Sequence, residues 1–373
     1  MTAPSKGLEG IVAGSSQICY IDGDAGVLRY YGYPIQELAE HSNFEETVYL
    51  LWHGKLPKKN ELEGFRGEVA NAGGIPEPIV RLILSFPKDA NTMSCLRTAV
   101  SALSLYDRQS EDMSDAANRR KAVRIQHQIN AIVPAIDRAR KGLPILQPRT
   151  DLSLAENFLY MLRGETPKAD EARAMDMCFI LHADHELNAS TFACRVIGAT
   201  LSDMHGAVTG AIAALKGPLH GGANTDVMKM LLSVGDVSNA EAWIKDALAK
   251  KQRIMGFGHR VYKTLDPRAG VLKKMSEKLC KSTGVTKWFD ISSRIQEFVK
   301  KEKELNANVD FYSASVYYSL GIPLDVNTPI FAISRTSGWL AHLLEQYADN
   351  RLIRPRAEYV GPPERHWEPF EKR

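Results

Sequence analysis

The chain has 373 residues, of which 44% are hydrophobic and 24% charged, and its formal net charge is +3. This length gives a prior of about two domains, and the aliphatic content excludes an intrinsically disordered chain. The 27 Gly and 18 Pro follow no period, which excludes a collagen-like protein. The near-neutral charge argues against a nucleic-acid-binding protein, because such proteins usually concentrate basic residues on one surface.

Targeting signals are not evident in the sequence. The start, MTAPSKGLEGIVAG, lacks the apolar core of a signal peptide. The longest weakly polar run, residues 206–215, is much shorter than the ~20 residues that span a bilayer, so we expect no membrane association. The five cysteines are widely spaced and form no C-x-x-C pair, which favours reduced thiols in a cytoplasmic protein.

The N-terminal region has the pattern of a β-hairpin. Residues 18–21 and 27–30 form two short apolar runs, and the turn-rich segment 22–26 separates them. After Pro34 the periodicity becomes helical, and it stays so for roughly 290 residues. Strands and helices do not alternate and no segment repeats, so we predict a mainly α protein with a small N-terminal β element.

Several helix boundaries can be predicted from capping residues. Ser42 and Glu45 have the spacing of a capping box, and Pro57 is expected to close the helix that they begin. Three further starts are predicted by a cap residue, two of them followed by proline: Thr166–Pro167, Ser202–Asp203 and Asp266–Pro267.

The last 23 residues differ from the rest of the chain. Four prolines prevent a helix there, whereas three aromatic residues, Tyr359, Trp367 and Phe370, favour burial. We therefore predict an extended arm that docks on another subunit.

Familiar nucleotide-binding and hydrolase motifs are missing from the sequence. There is no G-x-x-x-x-G-K-[ST] and no G-x-S-x-G, and Gly256-Phe257-Gly258 lacks the third glycine of a dinucleotide fingerprint. The candidate chemistry lies instead in His, Asp and Arg residues within four glycine-punctuated segments.

The first segment contains His182 and His185. His182 lies on the apolar face of a predicted helix and is expected to be a core histidine. His185 lies where that helix breaks, and its spacing leaves a functional and a structural role open. The i, i+3 pair could bind a metal ion, but no third ligand is nearby, so we expect no metal site.

The second segment places His220 between glycines and a proline, where a side chain has little packing purpose. A helix predicted to start near Gly221 would put a positive helix N-terminus beside His220. That position favours a neutral imidazole that can stabilise an enolate. The alternative is a tight turn with an incidental histidine.

The third segment combines two glycines with His259 and two cations. Gly256 and Gly258 would let a ligand approach the backbone, Arg268 lies near a helix start, and Lys263 adds a charge. The alternative is a flexible loop with surface cations.

The fourth segment begins a helix with Asp310, which could be a base or could simply stabilise the helix dipole. Arg335 lies inside the apolar helix 330–344 and is expected to meet an anion, and Arg354 follows that helix. Together these groups suit carbon–carbon bond formation between an enolised carbonyl compound and a polycarboxylate.

Four motifs resemble those of the citrate synthase family: GPLHGGAN, MGFGHRVYKTLDPRA, NVDFYSASVYYSLGIP and RLIRPRAEYVGP. The similarity covers essentially the whole chain and is greatest to the short bacterial and archaeal form. The sequence lacks the N-terminal extension of the long hexameric form, so inhibition by NADH is not implied.

The resemblance implies a role for each motif residue. Asp310 would be the base that deprotonates acetyl-CoA, His220 would stabilise the enolate, and His259 would polarise the oxaloacetate ketone. Oxaloacetate or citrate would be bound by His185, Asn188, His259, Arg268, Arg335 and Arg354. CoA would contact Gly256, Phe257, Gly258 and Lys263.

The resemblance also implies an architecture. The fold would be a two-domain helical homodimer, with a large domain (1–222 and 324–373) and a small domain (223–323) that closes over oxaloacetate. Arg354 and the C-terminal arm would reach the partner subunit. Acetyl-CoA would be a substrate, and no metal, other cofactor, nucleic acid or membrane partner would be needed.

Three alternatives stay open at this point. A 2-methylcitrate synthase would use propionyl-CoA, and a difference of one methylene is worth only about 1–3 kcal/mol. A non-catalytic CoA-binding paralogue conflicts with the intact His220, His259 and Asp310. A helical scaffold or DNA-binding protein would need four motifs to coincide by chance.

Overall fold

The structure is a computed structural model that describes residues 6–8 and 10–373. The strands are β1 (Cys19–Asp22), β2 (Val27–Tyr30) and β3 (Tyr33–Pro34). The helices are α1 (Ile35–His41), α2 (Phe44–His53), α3 (Lys59–Ala70), α4 (Glu77–Leu84), α5 (Thr92–Leu103), α6 (Asp115–Arg140), α7 (Leu154–Arg163), α8 (Ala169–His182), α9 (Ala189–Gly198), α10 (Met204–Lys216), α11 (Ala223–Val234), α12 (Ala240–Ala249), α13 (Pro267–Thr283), α14 (Lys287–Lys303), α15 (Val309–Ser319) and α16 (Asn327–Ala348). The mainly α prediction is confirmed.

The predicted N-terminal hairpin is present. Strands β1 and β2 pair antiparallel with Cys19 opposite Tyr30, and the short strand β3 extends the sheet beyond β2. The Asp22 carboxylate accepts the backbone N–H groups of Asp24 and Ala25, at 3.0 and 2.8 Å, which stabilises the turn.

Two of the four predicted helix starts are correct, because Asp203 and Asp266 cap α10 and α13. The other two are wrong. Helix α2 is capped by Asn43 rather than Ser42, and it ends at His53, before the C-cap residue Gly54 with φ 71°, rather than at Pro57. Helix α8 begins two residues after Pro167, because the Glu171 carboxylate accepts the Lys168 N–H at 2.9 Å.

Helix α16 is the central element of the core. It is buried over most of its length and packs against α2, α6, α8 and α9. A Cβ at Gly338 would collide with the Ala183 carbonyl and the Asp184 carboxylate, so glycine allows the turn after α8 to lie directly on α16. This contact places the turn that carries His185 beside the helix that carries Arg335.

Helices α11 to α15 form the part of the chain predicted to be the small domain. Helix α15 packs against α11, α13 and α14, while α13 also contacts α1 and α8. The division into 1–222 with 324–373 and 223–323 stays a prediction.

Both chain ends carry predictions that the structure leaves open. Apart from a short 3-10 turn at Phe370–Lys372, the described segment 351–373 has no helix or strand, and Tyr359, Trp367 and Phe370 are exposed. Its docking on another subunit stays a prediction. The expectation that the start of the chain is not a signal peptide concerns a segment that includes residues 1–5 and 9, which lie outside the described residues. None of the helices described is both long and apolar enough to cross a membrane.

Candidate active site

All the predicted site residues except Arg354 lie on six neighbouring elements. These are the α8–α9 turn, the α10–α11 turn, the loop before α13, the first turns of α13 and α15, and α16. The Tyr262 hydroxyl lies 3.2 Å from His185 Nε2, and the rings of His185 and His259 have their centroids 5.5 Å apart. The structure therefore brings together two of the three predicted functional histidines, although 74 positions separate them in the chain.

The position of the proton on His259 is set by the backbone. The N–H groups of Val261 and Tyr262 donate to His259 Nδ1, at 3.0 and 3.2 Å. Nδ1 is therefore an acceptor, and in the neutral ring Nε2 carries the proton. Burial and the nearby Arg268 lower the pKa of His259 to about 4. At neutral pH the ring can donate one hydrogen bond through Nε2 without carrying a charge.

His220 is held in the same way by α9. The Ser190 N–H donates to His220 Nε2 at 3.3 Å, and Ser190 Oγ lies 2.8 Å from the same nitrogen. This assigns the proton of the neutral ring to Nδ1. Burial, followed by the charge of Arg335, lowers the pKa of His220 to about 4. This shift favours a neutral ring, as predicted from the sequence, but its main cause is burial and not a helix N-terminus.

The expected helix start beside His220 is two residues too early. Helix α11 begins at Ala223, and the backbone N–H groups of His220 and Gly221 donate instead to the Gly217 carbonyl, at 2.9 and 3.2 Å. These bonds form a separate turn between α10 and α11, which displaces the helix terminus from His220.

Arg268 is buried in a bidentate ion pair. Its Nε and Nη2 donate to the two carboxylate oxygens of Asp266, both at 2.9 Å. This pairing raises the pKa of Arg268 and holds the pKa of Asp266 below its usual range against the effect of burial. The second oxygen of Asp266 also accepts the Val309 N–H at 3.1 Å. One carboxylate thus connects Arg268 to the first turn of α15.

Asp310 occupies that first turn. Asn308 caps the helix by accepting the Asp310 N–H at 3.0 Å. Burial is the main reason that the pKa of the Asp310 carboxyl rises to about 6, and Arg268 and Arg335 oppose the rise. A pKa near neutrality suits a residue that must both accept and release a proton.

Arg335 is almost fully buried on α16. Its Nε donates to the His182 carbonyl at 2.8 Å, and its guanidinium lies over the Phe331 ring, 4.7 Å from the centroid. Among the described residues, no carboxylate lies within 4.0 Å of this guanidinium. The anion that Arg335 is expected to meet is therefore not a carboxylate of the described chain, and this buried cation is available to an anionic ligand.

His182 is a core histidine, as predicted. It is 1% exposed, its Nδ1 lies 2.8 Å from the Cys178 carbonyl, and burial lowers its pKa to about 3. Across residues 6–8 and 10–373, no group of three or more His, Cys, Asp or Glu is arranged to hold a metal ion.

The two glycines of the third segment have different roles. Both have positive φ, 82° at Gly256 and 74° at Gly258. A Cβ at Gly256 would lie 2.7 Å from the Phe311 ring, so this glycine is needed for packing rather than for ligand access. A Cβ at Gly258 would meet nothing within 4 Å, which leaves space for a ligand beside it, although its N–H and its carbonyl are both hydrogen-bonded within the chain. The Phe257 side chain is buried against Phe311, so only its backbone could contact CoA.

The remaining predicted residues lie at the edge of the site or away from it. Asn188 caps α9 through its side-chain oxygen, and its amide group donates to the His185 carbonyl at 3.3 Å. Lys263 is exposed and pairs with Asp24 at 3.0 Å. Arg354 lies in the exposed C-terminal segment, and no hydrogen bond or ion pair joins it to the other site residues within the described chain.

Sequence reasoning missed three residues that organise the site. Tyr262 contacts both His185 and His259, Ser190 holds His220, and Asp266 joins Arg268 to α15. Asp266 was recognised only as a helix cap. Its position two residues before a candidate substrate-binding arginine was the available signal. No signal in the sequence indicated Ser190, because its hydrogen-bond partner, His220, is 30 positions away.

Comparison with known proteins identifies the family. The family model described as citrate synthase, C-terminal domain, matches residues 7–356. The chain belongs to the citrate synthase family. Citrate synthase 2 of Bacillus subtilis is 54% identical to it, and the alignment covers 100% of both chains. Members of this family are enzymes that transfer an acetyl group to oxaloacetate to form citrate.

Two further members of the citrate synthase family bear on substrate and fold. The citrate/2-methylcitrate synthase of Bacillus subtilis is 42% identical, with 96% of each chain covered. The citrate synthase of Thermoplasma acidophilum was solved as a ternary complex with carboxymethyl coenzyme A and oxaloacetate. It superposes with a TM-score of 0.91 at 37% identity over 98% of each chain.

Proposed function

We propose that the chain condenses acetyl-CoA with oxaloacetate and water, giving citrate and CoA through an enolate and a citryl-CoA intermediate. The observation that carries this proposal is the set of protonation states in the site. One neutral histidine, His220, carries its proton on Nδ1, and the other, His259, carries it on Nε2. They accompany a carboxyl group whose pKa is raised to about 6. Such a set can remove a proton, stabilise an oxyanion and polarise a ketone at neutral pH.

Oxaloacetate would bind between the two buried arginines. Arg335 has no carboxylate within 4.0 Å in the described chain, and Arg268 uses only Nε and Nη2 to bind Asp266. Their remaining N–H groups suit the carboxylates of the substrate. His185 and Asn188 would complete this side of the site, and Arg354 of the partner subunit would add a third cation.

The reaction would follow from these positions. Asp310 takes a proton from the thioester methyl group while the His220 Nδ1–H donates to the thioester oxygen. The electron pair of the enolate forms the new bond to the ketone carbon of oxaloacetate, and the proton on His259 Nε2 passes to the resulting alkoxide. Water then cleaves the thioester of citryl-CoA and CoA leaves as the thiol. The His220 hydrogen bond is essential because a thioester methyl is a very weak acid.

CoA would be bound by backbone groups of Gly256, Phe257 and Gly258 and by the charge of Lys263. The open space at Gly258 supports this placement. We further propose that the small domain, residues 223–323, closes over oxaloacetate and excludes water from the thioester. These roles need no metal ion or other cofactor.

We also propose a cytoplasmic homodimer. The exposed aromatic side chains of the C-terminal segment, Tyr359, Trp367 and Phe370, support docking on a partner subunit. All five cysteines are free and buried, which is usual in a reducing compartment.

Propionyl-CoA is the alternative acyl donor, and its use would make the enzyme a 2-methylcitrate synthase. The higher identity to Citrate synthase 2 than to the citrate/2-methylcitrate synthase, 54% against 42%, favours acetyl-CoA. A non-catalytic CoA-binding protein is disfavoured by the complete set of His220, His259 and Asp310.

The test is thiol release from each acyl-CoA in the presence of oxaloacetate. We expect kcat/KM for acetyl-CoA to exceed that for propionyl-CoA by about 10- to 200-fold, the usual range for one methylene. Asp310→Asn should abolish release by the folded protein. Preference for propionyl-CoA would make the chain a 2-methylcitrate synthase. Absence of release with both donors would contradict catalysis.

A further inference from the structure

The N-terminal hairpin touches the loop that carries His259. We call residues 22–26 the hairpin turn and residues 259–265 the substrate loop. The Lys263 N–H donates to the Gly23 carbonyl at 2.9 Å, and Lys263 Nζ lies 3.0 Å from the Asp24 carboxylate. The hairpin turn therefore binds both the backbone and the side chain of Lys263.

Besides the hairpin turn, the substrate loop has one main anchor, the buried Tyr262, whose hydroxyl lies 3.2 Å from His185 Nε2. The loop contains no helix or strand, and His259 is tied to its backbone only by the bonds from Val261 and Tyr262. The position of the loop therefore depends on the surfaces that it contacts, and the hairpin turn is one of them.

Gly23 gives this contact its close fit. A Cβ at position 23 would collide with the Val261 carbonyl oxygen, and its φ lies outside the left-handed region. Alanine could adopt the same backbone conformation, so its only obstacle there is the substrate loop.

The rest of the hairpin turn is equally close to the loop and is itself rigid. At Gly26, whose φ is 67°, a Cβ would lie 2.7 Å from the Thr264 side chain and 2.9 Å from the Leu265 carbonyl oxygen. The Asp22 carboxylate accepts two N–H groups within the turn. Because this turn is rigid and has no room for a side chain at Gly23 or Gly26, it can hold the substrate loop in place.

We propose that the hairpin turn is part of the acyl-CoA site. Gly23 is a positioning residue that holds the substrate loop in place. Asp24 is the counter-ion of Lys263 in the absence of substrate, and a phosphate of CoA must displace Asp24 to bind Lys263. This inference rests on the proposed function, which assigns the CoA contact to Lys263.

The competition between Asp24 and phosphate predicts a specific signature. Both side chains of the pair are mostly exposed, 81% for Lys263 and 78% for Asp24, so the pair is weak and screened by salt. Removing the Asp24 charge should strengthen the binding of substrates that carry phosphate, and of no others.

The first experiment compares Asp24→Asn with the wild type on acetyl-CoA and on S-acetylpantetheine, which has a thioester but no phosphate. At low ionic strength we expect KM for acetyl-CoA to fall about two- to fivefold, the range for an exposed ion pair. KM for S-acetylpantetheine should not change. An unchanged KM for acetyl-CoA, or an equal change for both donors, overturns the role of Asp24.

The second experiment uses Gly23→Ala, with Gly67→Ala as the matched control, because a Cβ at Gly67 meets nothing within 4 Å. Displacement of the loop by about 1 Å should lower kcat for both donors by about 10- to 100-fold, while the control keeps its rate. A lower melting temperature with unchanged kcat would show that Gly23 is only structural. If the wild type released no thiol at all, the proposed function would fail instead.

Discussion

Acid should inactivate the enzyme through Asp310 before it affects the histidines. The base must be a carboxylate, and burial raises the pKa of Asp310 to about 6, so its ionised fraction falls as the pH drops through 6. At pH 5 about 10% of Asp310 is ionised, against about 90% at pH 7. His220 and His259, whose pKa values are lowered to about 4, remain about 90% neutral at pH 5. Activity at pH 5 should therefore be about tenfold below its plateau.

The assay is kcat/KM for acetyl-CoA at saturating oxaloacetate between about pH 5 and pH 8, with circular dichroism at each pH. A plot of log kcat/KM should bend near pH 6 and fall with a slope of one below it. A plot that stays level down to pH 5 in a folded enzyme would refute the assignment of the raised pKa to the base.

The same shift predicts that activity and stability change in opposite directions. A carboxyl group whose pKa in the folded state exceeds 3.8, the ordinary pKa of an aspartate, destabilises the fold once the pH rises above that value. At pH 7, Asp310→Asn should therefore abolish turnover and raise the free energy of unfolding, by at most about 3 kcal/mol. Urea unfolding of both proteins at pH 7 and pH 4 tests this, since the gain should vanish at pH 4. A variant less stable than the wild type at pH 7 would contradict it.

Four further substitutions test individual contacts. His220→Ala should lower kcat by about 10²- to 10³-fold, because it removes one hydrogen-bond donor to the oxyanion. The KM for oxaloacetate should stay unchanged in steady-state kinetics. A loss of kcat of less than about fivefold would be too small for that role. Gly256→Ala should lower the free energy of unfolding in urea by about 1–3 kcal/mol, because its φ is 82° and a Cβ would lie 2.7 Å from the Phe311 ring. Gly258→Ala, which has the positive φ but no neighbour within 4 Å, should cost less, and equal costs would contradict the packing argument. Arg335→Met should raise the KM for oxaloacetate by about 100-fold or more. The melting temperature should stay unchanged or rise, because the substitution removes a buried charge without an ion-pair partner. A clear loss of stability would refute this account of Arg335.

Local features of the fold could be predicted because they depend on neighbours in the chain. The hairpin follows from its turn residues, and the caps Asp203 and Asp266 act on N–H groups two or three positions away. His182 follows from its place on an apolar helix face, and its partner is the carbonyl four residues earlier.

The wrong capping box at Ser42 has a tertiary cause. The Phe44 N–H donates to the Asp176 carboxylate of α8 at 2.9 Å, and the Glu45 carboxylate accepts the Leu154 N–H at the start of α7. The Glu45 carboxylate, which the spacing assigned to a local cap, and the neighbouring Phe44 N–H are thus both used by helices more than 100 positions away. The start of α2 is therefore shifted by one residue.

The sequence by itself determined the family and predicted which residues carry the chemistry, because His220, His259, Asp310 and the arginines stand in motifs too specific to arise by chance. Only the tertiary structure decided how those groups are protonated. Burial keeps both histidines neutral and raises the pKa of Asp310. Backbone and Ser190 hydrogen bonds choose which ring nitrogen carries the proton. Desolvation and hydrogen-bond geometry arise from segments far apart in the chain, so no local pattern encodes them.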